Sequence, residues 1–329
     1  MLISFAYYAF LAAAPVTNAA ELSAALNAAK GGEIISLAPG DYEVLALKGH
    51  DFAKRVTLTA ADPAHAPQFK SIFLYKVSNL AFDGVALRLG PARPLLDYAV
   101  TMRESSHISF TRFDVASAAD GVVGNDGYGF MIRDCSHVTI ADGAIHDTFR
   151  GIASFDNNDV VISGVSFSMM GSDGIVARGA VRLTIENNHF ADAALLDPKR
   201  FHPDAIQLWS RGAVRANDGV IIRNNVVFRG AGDATQGIFI KSPEIASRNL
   251  LIENNIVHQS YLQGIFVQNG DGVIIRGNRV EPAHKGDRPG IELRTPIKNA
   301  NSEHNIAASW RLAPGVTSMG DISTDPRGR

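Results

Sequence analysis

The sequence predicts an all-β protein, a single-stranded parallel β-helix solenoid with an N-terminal capping α-helix. Three observations carry this expectation. Short segments with strand alternation recur along the chain and align under one another. A second strand, opened by Gly-Ile or Ala-Ile in most repeats, follows each of them. The shortest repeats, read from Ile140, Ile162 and Ile185, leave no room for a helix between strands.

The chain has 329 residues, and a solenoid can run that long as one unit. Residues 1–17 form an apolar N-terminal segment that begins MLISFAYYAFLAAA and is too short to span a membrane. It reads either as a secretory signal, although a positive n-region is absent, or as a first-coil strand. Asn18 then stands as N-cap with Glu21 three residues on, a helix of small residues runs through Ala29, and Gly31 or Gly32 stops it. Leu22, Ala25, Leu26 and Ala29 recur at helical spacing, so the helix can cover the open end of a stack. A strand from Glu33 to Leu37 and the turn Pro39-Gly40-Asp41 open the body, which extends over residues 18–310.

The body is defined by columns. Ile140, Ile162, Ile185, Ile222, Ile252 and Ile275 occupy one inward position, with Val138, Val160, Leu183, Val220, Leu250 and Val273 two residues before. Five residues after the isoleucine stands another apolar set, Ile145, Phe167, Phe190, Val227, Val257 and Val280. The second strand carries Ile152, Ile175, Ile206, Ile238, Ile265 and Ile291, which gives an expectation of two strands per coil. Asn188, Asn225, Asn255 and Asn278 mark a corner where asparagine suits a left-handed backbone and can bond from coil to coil. Glu186, Arg223, Glu253 and Arg276 alternate in sign on neighbouring coils. Residues 311–329 read as an irregular C-terminal extension.

Composition excludes some functions. The formal net charge is -2, the pI is about 6.6 and there is no run of Lys or Arg, so nothing marks a nucleic-acid partner. The single Cys135 excludes an intramolecular disulfide and a cysteine-based metal cluster.

Strand parity places the residues one and three after the inward isoleucine on the outside. The outward face, with the residues at the start of each second strand, supplies a candidate substrate-binding set: Arg150, Arg178, Gln207, Trp209, Gln236, Phe239, Gln263, Phe266, Gln268, Glu292 and Arg294. Rings, amides and charges in one patch suit stacking on and hydrogen-bonding a sugar chain. Asp173 and Asp204 occupy equivalent places on consecutive coils, about 4.8 Å apart, and are expected to share one exposed cleft. Such a pair can divide into the general acid and the base of glycoside hydrolysis, with His202 tuning it. The insertions from Ala191 to Pro203 and from Arg229 to Thr235 are expected to wall the cleft. Lys241 supports a different chemistry, β-elimination on a uronate, in which a basic side chain takes the C5 proton. Asp173 and Asp204 would then hold Ca²⁺ beside Arg178, whereas hydrolysis calls for no cofactor. The plainer alternative is that both aspartates start tight bends, as Asp142 and Asp147 do.

The repeat columns make the chain resemble the pectate-lyase-like superfamily of right-handed parallel β-helices from about Asn18 to about Trp310, and that resemblance implies the right hand. Gly171-Ser172-Asp173-Gly174-Ile175 and Pro203-Asp204-Ala205-Ile206 are similar in placement to the aspartates of polygalacturonase-like hydrolases. The Asn-Thr-Asp, Asp-Asp and Gly-His-Gly motifs of those enzymes are missing, and the corresponding coil reads Gln236-Gly237-Ile238-Phe239-Ile240-Lys241. The capping helix followed by Leu37-Ala38-Pro39-Gly40-Asp41-Tyr42 is similar to chondroitinase and alginate lyases of this fold. Together these imply an exported polysaccharide-degrading enzyme, extracellular or periplasmic, with hydrolysis ranked ahead of elimination. Phage tailspikes share the helix, and resemblance to them implies the alternative: a virion-associated, homotrimeric receptor-binding protein that holds a surface polysaccharide and cuts it or not.

Overall fold

The computed structural model describes residues 14–90, 97–118, 120–196 and 203–325, so the apolar start of the chain and His202 lie outside the described residues. The helix runs Ala19–Ala28. Asn18 caps it by accepting the Glu21 backbone N–H at 3.0 Å, while the Glu21 carboxylate accepts the Thr17 N–H at 2.8 Å. Leu22 and Leu26 are buried against the first coil, as expected of a lid over an open stack.

Beyond the helix the chain winds as a parallel β-helix with three strands per coil. One coil consists of Tyr128–Arg133, Ser136–Ala141 and Ala144–Thr148, after which Arg150–Phe155 starts the next. Each strand pairs in parallel with its counterpart one coil away. The expectation of two strands per coil is therefore corrected. The apolar set Ile145, Phe167, Phe190, Val227, Val257 and Val280 belongs to a short third strand, because the corner before it is tight enough to redirect the chain at once.

The core fills the tube between the three faces. Its inward columns are buried, and rings stack coil on coil, Phe82 on Phe110 at 4.4 Å and Phe167 on Phe190 at 4.5 Å between centroids. Each such side chain is worth about 1.5–3 kcal/mol relative to exposure. Arg311 onward also departs from expectation. Ser309–Leu312, Thr317–Met319 and Ile322–Ser323 pair with the coil before them and continue the solenoid to Ser323.

The asparagine corner is a buried hydrogen-bonded ladder. Asn188, Asn225, Asn255 and Asn278 each donate from Nδ2 to the side-chain oxygen one coil on at 2.9 Å, the last to Asn305, which donates to Asp321 at 3.0 Å. The left-handed backbone sits one residue earlier than expected, at Asn187, Asn224, Asn254 and Gly277. The division of labour is physical: one residue turns the chain, and the next points inward and satisfies the amides that the turn strands. Beside the ladder, the opposite charges of Glu186 and Arg223 meet at 2.6 Å and those of Glu253 and Arg276 at 2.7 Å. Among the described residues no helix is long and apolar enough to cross a membrane.

Candidate functional site

The second-strand face is built on Arg150–Phe155, Ile175–Arg178, Asp204–Trp209, Gln236–Lys241, Gln263–Arg276 and Gly290–Glu303. From each isoleucine onward the strands alternate in and out, so Ile206 and Leu208 are buried while Gln207 and Trp209 are partly exposed. Repetition over coils aligns the outward residues. Trp209 pairs with Lys241, Lys241 with Gln268 and Gln268 with Arg294.

These side chains line a groove of about 610 Å³. It brings together Arg150, Arg178, Gln207, Trp209, Gln236, Phe239, Lys241, Gln263, Phe266, Gln268 and Arg294, all from the set read off the sequence. Glu292 is the exception: its carboxylate is held by Arg294 at 2.5 Å and Arg311 at 3.8 Å and stands outside the lining, to which Gln236 and Phe266 contribute although both are buried. Phe155, Val176 and Arg211 complete the lining. Phe155 and Val176 stand in the two outward columns, whereas Arg211 lies past the end of its strand, where no column could mark it.

Rings and cations alternate on the floor. Phe239 and Phe266 stack at 4.6 Å, and the Arg294 guanidinium covers Phe266 at 5.3 Å. Trp209 lies beneath both Lys241 at 5.6 Å and Arg211 at 5.8 Å, and Phe155 beneath Arg178 at 4.6 Å. Arg178, Arg211 and Lys241 have no carboxylate partner among the described residues, so their charge is available to a ligand.

The aspartate pair is placed differently from expectation. Asp173 and Asp204 do stand on consecutive coils, but they do not share an exposed cleft, since Asp173 is 6% and Asp204 1% exposed. The cause is a break in strand parity at the residue between Asp and Ile. A Cβ at Gly174 would stand 2.7 Å from the Phe190 ring, so this position faces the third-strand core, and the aspartate before it lies in the bend. Asp173 is used up there. Its Oδ2 accepts from Arg150 Nε at 3.2 Å and Nη2 at 3.0 Å, and its Oδ1 accepts the Asp204 backbone N–H at 3.1 Å. These bonds tie Asp173 to the coils on either side of it.

Asp204 lines a separate cavity of about 20 Å³, formed where the third-strand column steps down from Phe190 to Val227. One of its oxygens accepts from the Gln207 amide; the other has no partner, and the side-chain oxygen of Gln236 on the facing strand is equally unpartnered. Burial, reinforced by the nearby Asp173 charge, pushes the Asp204 carboxyl well above the usual carboxylate range. The described parts of the insertions, Ala191, Ala193, Arg229, Asp233 and Thr235, line this cavity and not the groove. The donor set does not fit Ca²⁺: the Arg150 guanidinium occupies the Asp173 carboxylate, and the cavity beside Asp204 is about the size of one water.

Residues 98–280 match the family described as the right handed beta helix region, and the chain belongs to that family. Its fold recurs in the alginate lyase from Paenibacillus sp. str. FPU-7, with 17% identity, a TM-score of 0.57 and coverage of 93% of this chain and 96% of that one. It recurs also in the PL6 family polysaccharide lyase from Pseudopedobacter saltans, with 12% identity, a TM-score of 0.56 and coverage of 97% and 94%. PfbA, a surface adhesin of Streptococcus pneumoniae, shows it at 11% identity and a TM-score of 0.56, covering 92% and 88%. No curated protein sequence matches.

Proposed function

We propose that the groove binds an anionic polysaccharide and that the protein cleaves it by β-elimination at a uronate. The observation that carries this reading is the charge balance of the groove. Its cations Arg178, Arg211 and Lys241 are unmatched, while the carboxylates beside it, Asp173 and Glu292, are already held by arginines. A groove of that sign favours a polymer with one negative charge on many of its sugars.

Elimination needs a base at C5, neutralisation of the adjacent carboxylate and departure of the O4 leaving group, which leaves an unsaturated sugar. Lys241 stands over Trp209 in mid-groove and is the candidate proton acceptor, which it can be only as the neutral amine, so the standing charge met by the ligand is that of Arg178 and Arg211. Arg178 and Arg211 flank it as partners for the carboxylate, whose charge grows as the proton leaves. Trp209 is the platform for a sugar face. Hydrolysis by Asp173 and Asp204 has less support, because one is neutralised by Arg150 and the other is buried. The names of the two lyases that share the fold accord with elimination but carry the fold alone. We place the reaction outside the cytoplasm, where such polymers occur.

The test is Lys241→Gln against wild type on alginate and polygalacturonate, recording reducing ends and absorbance of unsaturated product. Wild type is expected to give unsaturated ends, and Lys241→Gln to lose at least 100-fold in kcat, the lower range of general-base contributions of about 10²–10⁴. Reducing ends without unsaturation would establish hydrolysis; binding without turnover would establish an adhesin.

A further inference from the structure

The outward column that holds Arg178 and Lys241 does not stop at the groove. Followed toward the N-terminus in register, Arg178 pairs with Phe155, Phe155 with Arg133, Arg133 with Arg103, Arg103 with Tyr75 and Tyr75 with Lys48. Every step is one coil, so the row climbs the helix axis at about 4.8 Å per residue. Its pattern repeats that of the groove: the Arg133 guanidinium lies over Phe155 at 5.5 Å and Lys48 over Tyr75 at 5.8 Å. No acidic residue interrupts it. Arg103 and Arg133 form no ion pair among the described residues.

Carboxylates do stand near the row, at the corner one residue past it. Glu104 is engaged by Lys76 at 3.5 Å and by the Tyr75 hydroxyl at 3.5 Å, Asp134 is exposed, and Asp156, after Phe155, is half-buried. All three have left-handed backbones, so the chain is already turning off the sheet where their side chains emerge.

We propose that this row is a second binding segment, a track for the same anionic polysaccharide running from the groove along the helix axis to Lys48. The inference rests on the groove reading and extends it: the preferred ligand is a chain of about ten sugars, one to each coil spacing, and not a short oligosaccharide. Charge complementarity and unbroken continuity with the groove support it. Each added contact is weak at an exposed surface, but contacts along one linear ligand act together, and their screening by salt gives a measurable signature.

The experiment compares wild type with Arg103→Ala/Arg133→Ala, binding polygalacturonate and alginate as polymers and as oligomers of about four and about ten sugars. Both arginines lie outside the groove, and a matching thermal transition verifies the fold of the variant. The track predicts that wild type binds the longer oligomer at least 10-fold more tightly than the shorter. The double variant is expected to lose most of that advantage and to show a shallower dependence on salt, while affinity for the shorter oligomer is unchanged. Arg103→Lys/Arg133→Lys is expected to retain it. Equal polymer affinity in wild type and Arg103→Ala/Arg133→Ala overturns the track and leaves the groove reading intact. Wild type that binds neither polymer overturns both.

Discussion

Replacing Asp204 by asparagine removes an ionisable group that the fold holds in an unfavourable place. The carboxyl is 1% exposed, its neighbours are Gln207, Asp173 and, on the next coil, Gln236, and one of its oxygens has no partner. Its pKa in the folded chain is raised, by burial first and by Asp173 second. The sign follows from linkage. Below its ordinary pKa of about 3.9 Asp204 is protonated in both states and costs nothing. Above it the unfolded chain gives up a proton that the folded chain keeps, so stability falls by about 1.4 kcal/mol per pH unit until the folded carboxyl also ionises. The amide of the Asp204→Asn variant does not titrate and has no such slope. Urea denaturation of wild type and Asp204→Asn at intervals from about pH 4 to about pH 8 should therefore give curves that diverge as pH rises, the variant becoming the more stable. Parallel curves would refute the account of a buried neutral acid. The same variant separates mechanisms, because retained depolymerase activity removes Asp204 from the chemistry.

Two further outcomes test the scaffold. Asn255→Ala takes away the acceptor of the Asn225 N–H and Nδ2 groups and a donor to Ile222 O and Asn278 Oδ1, all buried, so a loss of about 2–5 kcal/mol is expected in urea. A loss below about 1 kcal/mol would show that the ladder relaxes around the gap. His146 is held between Asp114 at 3.1 Å and Asp147 at 2.6 Å, with Arg88 on the far side of Asp114. The Asp114 hydrogen bond, with help from Asp147 and against desolvation, raises its pKa to about 9. That stabilisation is complete below the ordinary histidine pKa of about 6.5 and is lost as pH rises through about 9, a loss of order 1–3 kcal/mol after allowing for solvent screening. His146→Gln should flatten thermal stability over that interval, and an unchanged alkaline slope would assign it to other groups.

The solenoid was legible because its columns are redundant: each inward isoleucine is repeated coil after coil, and no local accident erases the period. The groove was legible by the same route, since parity along Asp204–Trp209 and Gln236–Lys241 correctly turned Gln207, Trp209, Phe239 and Lys241 outward. Parity failed where the backbone bends. The recurring glycine at Gly151, Gly174 and Gly237 signalled that bend, because only a missing side chain tolerates the approach of Phe167, Phe190 and Val257. The third strand escapes the sequence because it can be as short as His189–Ala191 or Val226–Phe228, with one inward apolar residue and no room for alternation, and Arg211 because it belongs to a loop that no repeat describes.

The asparagine ladder also governs where this chain can change length. From one rung to the next the chain runs 37, 30, 23 and 27 residues, yet every Asn-to-Asn bond is 2.9 Å. The ladder corner admits no extra residue, so the longer coils carry their additional residues at the other corners. One of these longer connections, from Trp209 to Asp218, supplies Arg211 to the lining of the groove. Segments can thus be gained or lost at its margin without disturbing the tube, and a scaffold of this kind can be refitted to new sugars by editing its rim alone.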